Sequence, residues 1–170
     1  MISSPFVLNL KKNNLATLAY YWMVLTSSIA HEILHTLALY HEMHRDDAFY
    51  FLKLNPFDRN TFWVNNYVPL KKTNNFGFTY DFASLLQYPA SIKNGYFNMI
   101  TMSRFYQRTI GHGGILSFKD SAIINHIYCR GYCKEKKNEC QNGGYPNPKQ
   151  CNECFCPGGY GGAHCDDVEQ

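Results

Sequence analysis

No cysteine occurs in the first 128 residues; all seven lie between Cys129 and Cys165. This absence confines any disulfide framework to the tail. A crowded Cys, Gly and Pro segment of that kind reads as a disulfide module suited to an oxidising, extracellular setting. Charge is sparse as well, at 17% of residues with a net of +3 and no extended basic run. That disfavours nucleic acid as a partner and leaves no strong field to steer ligands. No stretch reaches the roughly 18 apolar residues that a membrane span needs. Repeats and low-complexity tracts are lacking too. What is there is a globular composition, 45% apolar over 170 residues, enough for one modest domain and a small appendage.

Four stretches follow one another: an apolar lead-in (1–30), a His/Glu-rich helix and its exit (31–47), a mixed Tyr, Phe and Asn region (48–128), and the Cys module (129–170). Leu15–Ala30 follows Lys11-Lys12 and ends Ser28-Ile29-Ala30, a basic flank, apolar core and small-residue exit like those of a signal peptide. Cleavage after Ala30 would strip the first turn from the motif described next, so the expectation is against that reading. Within the first helix, Ile29, Leu34, Leu37 and Ala38 are expected to face a core, with His31, Glu32 and His35 on the other side. Near the end, Ser117 is expected to cap a helix with Asp120 at its third position. Ala122, Ile123 and Ile127 form that helix's apolar stripe. Asn94-Gly95 and Gly113-Gly114 mark turns.

The chemistry lies in His31-Glu-Ile-Leu-His35-Thr-Leu-Ala-Leu-Tyr-His41. Residues four apart share a helix face, so His31 and His35 can bind one metal together. A catalytic zinc takes three protein ligands and keeps a position open for water. On a continued helix His41 would lie about 240° round the axis, facing away. It reaches the metal only if the helix stops near residue 38 and the chain turns back. Glu32 is placed to take a proton from zinc-activated water. The remaining histidines, His44, His112, His126 and His164, fit no ligand position and are expected to be ordinary surface or loop residues.

The run HEILHTLALYHEMHRDD resembles the astacin family of metzincin peptidases, whose motif is HExxHxxGxxHExxRxD. The match extends to Glu42, Arg45 and Asp47. In the family, the Glu after the third His belongs to a buried polar network that receives the new N-terminus of the mature enzyme, and Glu42 is the matching position. The family's Gly is Ala38 here. Ala adopts the left-handed backbone of a sharp turn at a cost of about 1–2 kcal/mol, so weaker zinc affinity is expected. The family also places a turn reading SxMHY beneath the metal. Ser84-Leu-Leu-Gln-Tyr88 resembles it, with Leu86 for Met and Gln87 for His. Tyr88 keeps the phenol that would ligate zinc or bond to the oxyanion. Thr109-Ile-Gly111 and Leu116…Tyr128 resemble the close of the catalytic domain.

The spacing of Cys133, Cys140, Cys151, Cys154, Cys156 and Cys165 resembles an EGF-like module, and sequence alone leaves fifteen pairings. The resemblance implies Cys133–Cys151, Cys140–Cys154 and Cys156–Cys165, leaving Cys129 unpaired. No acidic pair ahead of Cys133 argues for calcium. The resemblance to nematode astacins implies an α+β zincin fold over 31–128, one Zn²⁺, and zinc-dependent endopeptidase activity on protein or peptide substrates. It also implies secretion, no stable membrane insertion, and possible extracellular protein contacts through the module. Only 30 residues precede His31, where the family has a further half of sheet and helix that walls the cleft. The expectation is a truncated product or an incorrectly joined gene model, with an inactive secreted protein acting through its EGF-like module as the alternative function.

Overall fold

Residues 15–36 contain neither glycine nor proline, and nothing in them interrupts a helix. In the computed structural model, which describes residues 15–55, 66–93, 95–112, 114–134 and 139–169, they form one continuous helix, α1 (Leu15–Thr36). No break falls at residue 30. Residues 1–14 of the lead-in lie outside the described residues. The Thr26, Ser27 and Ser28 hydroxyls bond back to carbonyls of the preceding turn, which keeps polar side chains compatible with the helix. Leu34 is buried, but Ile29 is 52% exposed and Ala38 is exposed too, contrary to the expectation that both face the core. The helical period explains Ile29: it stands four residues before Ile33, on the solvent side.

Helix α1 ends at a left-handed residue. Ala38 has φ 64°; the Leu39 N–H donates to Leu34 O at 3.1 Å and the Ala38 N–H to His35 O at 3.0 Å. This 6→1 and 5→2 pair is a Schellman motif, which satisfies carbonyls that a helix end would orphan. The chain then turns back, passing extended through His41 (φ −56°, ψ 142°) into a 3₁₀ turn, Glu42–His44.

Two short strands, β1 (Leu52–Leu54) and β4 (Met99–Thr101), pair antiparallel with Leu52 opposite Thr101. Strands β2 (Ile92–Lys93) and β3 (Tyr96–Phe97) form a hairpin around Gly95; Asn94 and Gly113 of the expected turns lie outside the described residues. The core gathers Met43, Ala48, Leu52, Tyr80, Met99 and Ile110, with Phe51, Phe82 and Tyr88 packed against it. Burying side chains such as Met99 and Ile110 contributes about 2 kcal/mol each.

Helix α2 (Phe118–Ile124) starts with the expected capping box: Ser117 Oγ accepts from the Asp120 N–H, and the Asp120 carboxylate accepts from the Ser117 N–H. A π-helical turn, Asn125–Cys129, extends it. Beyond it, β5 (Tyr145–Pro146) pairs with β6 (Cys154–Phe155), and β7 (Tyr160–Gly161) with β8 (Asp167–Val168). Disulfides join Cys133 to Cys151, Cys140 to Cys154 and Cys156 to Cys165, while Cys129 is a free thiol. The tail packs on α2 through Phe118 and Tyr145, ring centroids 5.2 Å apart. Among the described residues no helix is long and apolar enough to cross a membrane.

Candidate metal centre

The turn after α1 brings three imidazoles to one point. Nε2 of His35 lies 3.1 Å from that of His31, and Nε2 of His41 lies 3.2 Å from each. The outer nitrogens fix the tautomers. Nδ1 of His31 donates to Leu85 O and Nδ1 of His35 to Leu39 O, both at 2.8 Å. Each Nε2 of these two therefore presents a lone pair inward. Burial, then the positive charges that His35, His44 and His31 would carry, lower the pKa of His41 from 6.5 to about 4.

Three ring nitrogens thus converge on one point, two of them with lone pairs turned inward, an arrangement that suits a cation. Zinc bonds of about 2.0–2.1 Å at tetrahedral angles need nitrogens about 3.3–3.4 Å apart, close to the spacing found. These are the residues that could hold the metal, with a side of the triangle left for water or substrate. Glu32 is exposed beside the first histidine. Tyr88 packs its ring 4.4 Å from that of His41. Burial, then Tyr67 and the charge of Glu32, raise the pKa of its phenol, so it remains a proton donor.

Beneath the histidines runs the turn from Asp81 to Tyr88. Leu86 is buried as an apolar floor, and its carbonyl accepts from the Glu42 N–H at 3.0 Å. Gln87 is buried too: it accepts from the Tyr80 hydroxyl, and its Nε2 donates to Tyr88 O. The Asp120 carboxylate accepts from Ser84 Oγ at 2.7 Å and from the Leu85 N–H at 2.8 Å. At the other end of the α2 segment, Tyr128 Oη donates to Leu37 O at 3.1 Å.

The residues following His41 form a buried charge network. Arg45 meets Asp47 with two bonds, at 2.9 and 2.8 Å, and Glu42 with one at 3.0 Å. The Asp81 N–H also donates to Glu42. Glu42 is only 8% exposed. Burial raises its pKa from 4.5 to about 7, against the pull of Arg45. His44 corrects an expectation: it is half-buried, its ring 5.3 Å from that of His41. Its Nε2 is buried with no hydrogen-bond partner among the described residues. The 3₁₀ turn directs it inward, which no ligand spacing signals. His112, His126 and His164 lie away from the centre, His126 against Phe76 and Phe78.

Sequence reading missed the Leu85 and Leu39 carbonyls and the second role of Asp120. Only the capping box drew attention to Asp120.

Known proteins share this arrangement of sequence. The profile of the Astacin family of peptidases matches residues 24–129. "Zinc metalloproteinase nas-36" of Brugia malayi is 38% identical over 146 residues, 83% of this chain and 25% of that protein. "Zinc metalloproteinase dpy-31" of Haemonchus contortus is 36% identical over 152 residues, 82% of this chain and 26% of that protein. The chain thus spans about a quarter of the length of these curated relatives. Among solved structures, High choriolytic enzyme 1, a hatching enzyme zinc-protease from the medaka fish Oryzias latipes, superposes with a TM-score of 0.54 at 27% identity. The match covers 60% of this chain and 52% of that one.

Proposed function

The chain belongs to the astacin family of peptidases, and on that premise we propose that it is a zinc-dependent metalloendopeptidase acting on protein or peptide substrates. The observation that carries this reading is the convergence of three Nε2 atoms within 3.2 Å, two with tautomers fixed from outside. His31, His35 and His41 would hold the metal. Zinc, when bound, polarises the scissile carbonyl and makes water a nucleophile at neutral pH. Glu32 accepts a proton from the attacking water at its carboxylate and returns it to the leaving amine. The Tyr88 phenol donates a hydrogen bond to the oxygen on which charge develops. Its position against His41 supports this role.

The finer reading is an α+β zincin core over 31–128 followed by an EGF-like module over 129–170. The short strand pairs and the three disulfides of the tail support it. Those disulfides also support secretion, since they persist where the medium is oxidising, and they leave a small rigid module free for extracellular protein contacts.

The test is hydrolysis of a denatured protein by the zinc-loaded chain. Glu32→Gln is expected to abolish turnover while keeping zinc bound. A fully metal-loaded wild-type chain with no turnover would overturn the enzymatic reading.

A further inference from the structure

Asp120 is 4% exposed, and its carboxylate accepts three hydrogen bonds, of which the helix cap needs one. Oδ2 takes the Ser117 N–H at 3.1 Å, which closes the capping box. The other two go to a different element. Oδ1 takes the Ser84 hydroxyl at 2.7 Å, and Oδ2 takes the Leu85 N–H at 2.8 Å. Ser84 Oγ in turn accepts the Leu86 N–H at 3.0 Å.

That last bond matters because the Leu86 N–H and the Leu85 carbonyl belong to one peptide group, which is planar. Holding the N–H edge of the plane aims its opposite edge. The Leu85 carbonyl is the acceptor of His31 Nδ1. The path therefore runs from Asp120 through Ser84 to the Leu85–Leu86 peptide and on to the ring of His31. A second bond, to the Leu85 N–H, pins the preceding peptide. We propose that Asp120 is a positioning residue for the metal centre, holding the Leu85 carbonyl that orients His31 and sets its tautomer.

The proposal rests on reading His31 as a metal ligand. Partners one step out from a ligand set its basicity and orientation, and losing one typically weakens metal binding by about 10–100-fold. A carboxylate suits the position because all three groups that converge on it are donors. In Asp120→Asn one oxygen becomes an NH₂ that faces donors.

Zinc affinity by chelator competition, on the full chain, tests this, together with the side-chain ¹⁵N spectrum of His31 in the metal-free protein. Asp120→Asn is expected to bind zinc about 10-fold more weakly and to lose the single Nδ1–H tautomer of His31. Ser84→Ala, which leaves the helix cap intact, is expected to move both readouts the same way; it decides the matter if Asp120→Asn does not fold. Ser117→Ala removes the cap and the bond from the Ser117 hydroxyl to Asp81 at the start of the turn, but neither bond of Asp120 to Ser84 and Leu85, and is expected to lower stability with zinc affinity within about 2-fold of wild type. The proposal is overturned if Ser84→Ala and a folded Asp120→Asn both keep wild-type affinity and the His31 tautomer. It is equally overturned if Ser117→Ala weakens zinc as much as they do. A wild-type chain that takes up no zinc would sink the metal-centre reading instead, and the His31 spectrum would still judge the role of Asp120.

Discussion

Nδ1 of His35 lies 2.8 Å from the carbonyl oxygen of Leu39, so the turn that ends helix α1 also orients one of the helix's own histidines. The same turn swings His41 back to the other two. Both depend on Ala38 at φ 64°, where a β-carbon is strained and glycine is not. Ala38→Gly is therefore expected to stabilise the fold by about 1 kcal/mol and to tighten zinc. Denaturant midpoints and chelator competition measure the two effects; a variant no more stable than wild type would refute the strain argument.

Gly111 backs the residue proposed as oxyanion donor. It has φ 69°, and a β-carbon there would overlap the Tyr88–Pro89 peptide. Since the neighbour is backbone, nothing yields cheaply. Gly111→Ala should cost about 3 kcal/mol or more and move the Tyr88 ring away from His41. Thermal unfolding reads the first effect and Tyr88 ring shifts by NMR the second.

Glu42 makes stability depend on pH in a stated direction. Its carboxyl titrates near 7 in the fold, against 4.5 ordinarily, because burial outweighs Arg45. The folded state thus binds the extra proton, and its advantage is complete below about pH 4.5 and lost as pH rises through 7. Measured against Glu42→Gln, which does not titrate, wild-type stability should fall by about 3 kcal/mol across that window. Urea unfolding of both proteins in chelator at pH 5 and pH 8 gives the comparison. A difference independent of pH would contradict it.

Tyr88→Phe separates binding from chemistry. The ring contact with His41 remains, so zinc affinity should change little. Loss of one oxyanion donor is expected to lower kcat by about 10²–10³-fold with KM nearly unchanged. A fall confined to KM would assign Tyr88 to substrate binding.

What the sequence made legible was local. His31, Glu32 and His35 stand at helical spacings, and Ser117 and Asp120 at capping spacing, so each pattern is short-range in the chain. The need for a reversal near Ala38 followed from geometry alone. Leu85 and Leu39 were invisible because they act through backbone carbonyls, which every residue possesses. The second role of Asp120 spans 35 and 36 positions to Leu85 and Ser84, and His44 turns inward only because of the 3₁₀ turn after His41. Ile29 was misassigned because hydrophobicity alone cannot tell which flank of a helix is covered.

The α2 segment touches the metal centre at both of its ends, through Asp120 to Leu85 and through Tyr128 to Leu37. Whatever free energy a captured ion supplies is thereby shared with a helix that holds none of the three histidines. Amide hydrogen exchange in Phe118–Ile124 should slow when zinc is added and quicken in chelator, in step with α1, so that two segments far apart in the chain open as one cooperative unit.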